Sequence, residues 1–472
     1  ISNTSRLVDS ALENNQNPGR QEVIEFFDDY VFPTMARPEN QNRLGELRSD
    51  FIKDYLNPKV RGVARQTVIQ LTIDRMTKYS QNRTLAASTR INAVYLIGML
   101  DQVPAVRLNS QPPRPSAEAM VSLKTILQSS DATAVPEYLK VAAIAGIKRH
   151  LDIDQTLGGS IVEAPVKAEL FAFVEKTLKE PAKDDLNYWL QRRSMQIGGL
   201  LRNPAVADLI IKVLKEDQNS LWLKYDALES LNNLQLSLLS GQKQQELATV
   251  LGEFLKSNYN NEAALIRQAV DKLVYNSILF ADTDLETNPN DYSSNSSGGI
   301  GSGKGGFPGG GGGMGGGMGG SEGDDSTGGF GGGFGGGPTS SDDEEAQLTL
   351  PNYQLHQFRQ KIKAVGFTAR KAMMGLEKSL TGDSKTYANR VISKLDYLLN
   401  EDSNHGIVDL DLPEKEPEPG AEPDPPAQEM LAKACEKFAS AVGKDLAKLK
   451  GEPEPKDPAK EEDASAGDDP FK

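Results

Sequence analysis

Arg90-Ile-Asn-Ala-Val-Tyr-Leu-Ile-Gly-Met-Leu100 is the stretch on which the fold turns. It reads as a buried helix led by a basic residue, with the small residue Ala93 three positions on. The same opening returns as Arg61-Gly-Val-Ala64, Lys140-Val-Ala-Ala143 and Lys224-Tyr-Asp-Ala227, and more loosely as Arg192-Arg-Ser-Met195 and Arg267-Gln-Ala-Val270. These segments are expected to be the inner helices of a helical-repeat array. The small residue lets neighbouring helices approach, and the base three earlier shares its helix face.

The basic positions are separated by 29, 50, 52, 32 and 43 residues. Two-helix repeats of roughly 40–47 residues have the HEAT/armadillo period. Residues 41–280 resemble a divergent HEAT-repeat protein of bacterial type, carried by Asn57-Pro-Lys-Val-Arg61-Gly-Val-Ala64, Arg90 to Leu100, and Leu223-Lys-Tyr-Asp-Ala-Leu-Glu-Ser-Leu231. The resemblance implies an armadillo-like α-solenoid with a binding or scaffolding role. In such an array each helix pair covers the apolar face of the next.

Outward from this core, helices are expected at 85–99, 117–127, 135–151, 164–178, 186–201, 221–234, 242–255 and 262–278, with others opened by Asn57-Pro58 and Asn203-Pro204. Residues 1–40 read as two or three short helices, one of them limited by Phe32-Pro33. Period-two alternation is never sustained, so no strand is expected.

At residue 286 the composition changes. Residues 286–345 are Ser/Asn- and then Gly-rich, ending in Ser340-Ser-Asp-Asp-Glu-Glu345, and read as a flexible tether. Beyond it Leu355, Phe358, Ile362, Val365, Ala369, Ala372 and Leu376 follow a heptad seam, as in a coiled coil or bundle. Thr381-Gly-Asp-Ser384 stops that helix and caps a second. The domain reading is therefore a HEAT-like array at 1–285, a linker at 286–345, a basic helical hairpin at 346–400, an acidic Pro-rich spacer at 401–427, an amphipathic helix at 428–450, and a charged tail at 451–472. The fold class is all-α, with a small C-terminal hairpin or bundle.

The net charge is −14, distributed unevenly. Residues 1–285 hold 33 Lys+Arg against 34 Asp+Glu, while 351–400 hold nine bases against three acids. A near-neutral array gives no support for nucleic-acid binding, which needs phosphate neutralisation. Arg359, Lys363, Arg370 and Lys371 flank the apolar seam of the basic segment and are candidates for an anionic partner, with the acidic tail as a mask. Arg192 and Arg193 are candidates on the array itself, because two adjacent bases cannot both serve as structural rungs. A protein or peptide partner on the solenoid surface is the first expectation. A structural or envelope-associated component that self-associates through the C-terminal heptads is the alternative.

Apparent catalytic and ligand motifs dissolve on inspection. Gly298-Gly-Ile-Gly-Ser-Gly-Lys304-Gly305 resembles a phosphate loop but lacks the following Ser or Thr, and has neither the strand nor the helix such a loop requires. Asp282-x-Asp284-x-Glu286 lacks the Gly and the final Glu of a calcium loop. His150, His356 and His405 are widely separated, and His150 reads as a cation at a helix end. Cys435 is the single cysteine and falls on an apolar stripe. No enzyme activity, cofactor or metal is expected, and no apolar run reaches the length of a membrane span. The start at Ile1 fits either a removed leader or a fragment, which leaves export and the cytoplasm equally open.

Overall fold

The computed structural model describes residues 8, 10–14, 21–105, 111–281, 350–399 and 427–453. Among the described residues the structure is helical apart from one minimal ribbon. Two compact units divide it: one takes in Ile1–Arg267 and Pro351–Lys472, the other Gln268–Leu350.

The first unit opens with α1 (Gln21–Phe26), a π turn (Phe27–Val31) and α2 (Phe32–Ala36). Phe32-Pro33 does not end the helix as expected. Proline lacks an N–H and crowds the carbonyl a turn earlier. The wider π turn directly before it lets the chain continue helically through Pro33. Phe27, Phe32 and Phe51 pack into an aromatic cluster there.

Then follow α3 (Leu44–Tyr55), α4 (Gly62–Gln81), α5 (Ala87–Gly98), α6 (Ala117–Gln128), α7 (Glu137–Thr156), α8 (Ala164–Lys179), α9 (Asp185–Leu200), α10 (Val206–Lys215) and α11 (Leu221–Asn233). Ser116, Asp184 and Ser220 cap α6, α9 and α11 by accepting a backbone N–H in the first turn. Asn57 and Asn203 do not open helices as expected. Each side chain accepts the N–H two residues on, making a turn, and the helix begins later.

The helices pack pairwise, α4 on α5, α6 on α7, α8 on α9 and α10 on α11. The second members also touch in series: α5 meets α7, α7 meets α9, and α9 meets α11. The small residues of the repeated motif, Ala64, Ala93, Ala143 and Ala227, are all buried. Glycines set the closest approaches. A Cβ on Gly98 would stand 2.8 Å from the Cα of Gly146, so α5 and α7 meet backbone to backbone. Gly199 meets the backbone of Ser230 where α9 meets α11.

Between α5 and α6, β1 (Asp101–Val103) pairs antiparallel with β2 (Arg114–Pro115). The sequence predicts no strand. Segments of three and two residues are too short to carry an alternation signal. Arg65 stabilises the start of the ribbon by donating from Nε to the Asp101 carbonyl at 2.8 Å.

The two helices expected at 242–255 and 262–278 are one helix, α12 (Gly241–Ala281). Lys256-Ser-Asn-Tyr-Asn-Asn261 contains neither Gly nor Pro, and Tyr259 and Asn258 are buried there. In the second unit, residues 268–281 are the last turns of α12.

The largest departure concerns the C-terminal helices α13 (Asn352–Glu377), α14 (Gly382–Leu399) and α15 (Ala427–Lys450). The sequence sets them apart behind a tether. In the structure they belong to the same compact unit as the array. Helix α13 packs on α11 and α14, and α14 packs on α15. Tyr259 of α12 is fully buried, its ring 4.6 Å from that of Phe438 and its hydroxyl donating to the Ile362 carbonyl at 3.3 Å. Lys361 pairs with the buried Glu262 at 2.7 Å, and Arg267 pairs with Glu436. The heptad seam residues Leu355, Ile362, Val365, Ala369, Ala372 and Leu376 are buried by these contacts.

The Gly-rich tether, with its phosphate-loop and calcium-loop lookalikes, lies outside the described residues, as do His405, the acidic Pro-rich stretch and the charged tail beyond residue 453.

Candidate partner-binding face

Both tryptophans of the chain lie on neighbouring helices, Trp189 on α9 and Trp222 on α11. They are 40% and 52% exposed, high for so large an apolar side chain. On α9, Leu186, Trp189, Arg193 and Gln196 follow one helical stripe. On α11, Trp222, Tyr225, Glu229 and Asn232 do the same. The opposite sides of both helices carry the buried residues, so these stripes form one face across the pair.

Arg192 organises this face. Its guanidinium lies 4.9 Å from the centre of Trp189 and 5.6 Å from that of Trp222. Its Nε donates to Asp226 Oδ2 at 2.6 Å. Asp226 is 1% exposed. Gln196 Nε2 donates to the other carboxylate oxygen at 2.8 Å, and Arg193 donates to Gln196 Oε1 at 2.8 Å. Burial pushes the Asp226 carboxyl above its usual range, opposed by Arg192 and Gln196. Glu229 is also raised by burial, against the pull of Lys148. The hydrogen-bonded network thus joins α9 and α11. Cation–π stacking and a desolvated ion pair lock both rings, so a binding partner would meet a surface already ordered.

The six residues singled out in the sequence divide between this face and α13. Arg192 is a rung to Asp226, and Arg193 turns to the face, stacking 5.8 Å from Trp189. Arg359 and Lys363 on α13 are half-buried, and Lys371 is exposed. Arg370 pairs with Asp396 of α14. Helix α11 lies in contact with both α9 and α13. The sequence places Trp189 and Trp222 inside the helices expected at 186–201 and 221–234 without singling out either one. The available signal was that each Trp falls opposite the apolar stripe of its own helix.

Of the repeated bases, Arg90 is a true rung, donating to the Ser80 and Ala134 carbonyls and to Tyr138 Oη. His150 is no helix-end cation. Helix α7 runs on to Thr156, and His150 is fully buried with Nε2 against the Gly98 carbonyl. Burial, aided by Arg149, pushes its pKa down to about 3, so the ring is neutral at neutral pH. Cys435 is buried, and its thiol is pushed up to about 12, chiefly by burial.

Open clefts lie among the described residues, two of them as follows. One, of about 590 Å³, lies between α12 and α15, beside the ion pair of Lys450 with Glu253. The other, of about 560 Å³, is lined by Glu137, Lys140, Phe173 and Gln191. Among the described residues no group of three His, Cys, Asp or Glu side chains could hold a metal ion, and no helix is long and apolar enough to cross a membrane.

The fold thus defines a mostly helical protein with an ordered aromatic face. Compared with protein-family models, curated proteins and solved structures, the chain matches none.

Proposed function

We propose that this chain is a non-enzymatic protein-binding scaffold, a HEAT-like α-solenoid whose inner row of helices carries the partner surface at Trp189, Arg192, Arg193 and Trp222. The row is α5, α7, α9, α11 and α13, with α12 and α13 as its last pair across the Gly-rich insertion. What supports the solenoid reading is the serial contact of the second helix of each pair. The observation that carries the binding reading is the pair of half-exposed tryptophans held by one buried ion pair. Trp and Arg dominate the residues whose truncation costs most at protein interfaces.

The self-associating alternative rested on the heptad seam of α13. Burial of the seam residues within the chain makes the protein-binding reading the better supported of the two.

Peptide-display selection on the full chain tests the proposal, with Trp189→Ala/Trp222→Ala run in parallel. Sequences enriched on the native chain and lost on the double variant are expected. A selection that enriches nothing, or enriches equally on both, sinks it.

A further inference from the structure

We propose that the face of α9, α11 and α13 takes an acidic, proline-rich segment of a partner protein in extended conformation. This rests on the binding reading above and adds the partner's chemistry.

Charge selects the acid. Helix α13 presents Lys363, Phe367, Lys371 and Met374, continued by its C-cap residue Lys378, in one stripe spaced 4, 4, 3 and 4 residues, opposite its buried seam. Phe367 is 46% and Met374 38% exposed. Glu377 is the one acid between Asn352 and Lys378, and it pairs with Lys385 at 3.1 Å. Lys363, Lys371 and Lys378 have no ion pair among the described residues. On the neighbouring helices Asp226 and Asp152 are already held by Arg192 and Lys148, whereas Arg193 meets the Gln196 amide and the Trp189 ring but no carboxylate. Glu229, half-buried near Lys148 and Arg193, and Asp185, exposed in the first turn of α9, are the acids that remain against Arg193, Lys363, Lys371 and Lys378. The bases therefore outnumber the acids available to a partner.

Geometry selects the extended, proline-rich form. The aromatic residues run across helices rather than along one. Packed helix axes are about 8–10 Å apart. A polyproline II chain advances about 9 Å per three-residue turn, so every third residue meets the next helix. Trp189 to Trp222 is one such step. Phe367 lies farther along α11, because the Thr368 carbonyl accepts from Asn232, ten residues beyond Trp222. That is about 15 Å along the helix and one axis spacing across, or roughly two further turns. About nine residues span the face. Proline rings pack on aromatic side chains and bring little ordering entropy, and carboxylates between them reach Arg193 and the three lysines.

The test uses the full chain and a synthetic (Glu-Pro-Pro)4 peptide. Trp189 and Trp222 are the sole tryptophans, so intrinsic fluorescence reports the face directly. We expect saturable binding that weakens as salt rises, with (Glu-Gly-Gly)4 and (Lys-Pro-Pro)4 at least tenfold weaker. Lys363→Glu/Lys371→Glu, checked for an unchanged helical spectrum, should weaken (Glu-Pro-Pro)4 at least tenfold and strengthen (Lys-Pro-Pro)4. Equal binding of (Glu-Gly-Gly)4, or none of any probe, overturns the proposal. So does a response to phosphatidylserine vesicles without one to the peptide. If the probe binds only after residues 401–426 are deleted, the chain's own acidic stretch fills the face and an external partner is overturned. A display selection that enriches face-dependent peptides of another class overturns the acidic, proline-rich assignment alone; one without face dependence removes the binding reading as well.

Discussion

Arg192 Nε donates to Asp226 Oδ2 at 2.6 Å, from α9 to α11, and the same guanidinium lies over both tryptophan rings. One side chain therefore both ties two helices together and shapes the surface they present.

Removing one member of that pair leaves the other buried and uncompensated. Asp226→Ala is expected to cost about 3 kcal/mol or more in urea unfolding, whereas Arg192→Met/Asp226→Leu should recover much of the loss. Recovery follows because an apolar pair of similar volume leaves no buried charge without its partner. A double variant as unstable as the single one would show that packing, rather than unpaired charge, dominates.

Trp222→Ala should change stability by less than about 1 kcal/mol, because half of the ring already faces solvent. Its effect on partner affinity should be about 2 kcal/mol, roughly thirtyfold. Thermal unfolding and titration of the same preparations separate the two.

Gly98→Ala forces a methyl group against the Gly146 backbone, which cannot rotate away as a side chain could. A cost of about 1–3 kcal/mol is expected. Gly241→Ala, with nothing within 4 Å of the added carbon, is the control and should be neutral or mildly stabilising.

His150 gives acid sensitivity a definite sign. Its folded pKa, about 3, lies below the ordinary value of 6.5, so the unfolded chain binds the proton first. Its contribution is complete above pH 6.5 and is lost as pH falls toward 3, by up to about 1.4 kcal/mol per unit. Subtracting the stability of His150→Gln between pH 7 and 4 should leave that slope; a flat difference would contradict it.

Tyr259 joins α12 to both α13 and α15. Tyr259→Ala should cost about 3–5 kcal/mol and expose the single cysteine, Cys435, which the native chain buries. A thiol reagent should label native protein far more slowly than the variant. Equal rates would mean that α15 opens independently of this contact.

The helices were legible wherever one apolar face repeats over three or more turns. Ala87–Gly98, Ala164–Lys179 and Asp185–Leu200 lie within two residues of their expected bounds. Legibility failed where the deciding neighbour is distant in sequence. Nothing local shows that Pro33 follows a π turn, or that His150 faces Gly98. The site was half legible. Arg192 and Arg193 stood out as adjacent charges, but the exposure of Trp189 and Trp222 depends on which side of each helix its neighbours cover.

By itself, the order of residues determined the all-α class, the small residues buried between helices and the heptad seam of α13, because periodicity is a property of one helix. Only the tertiary structure decided that the seam is filled by helices of the same chain, that α13 packs on α11, and that both tryptophans remain at the surface. A periodic stripe states that a face must be covered. Its cover is chosen by shape and charge among segments a hundred or more residues away, as Tyr259 with Ile362 and Phe438.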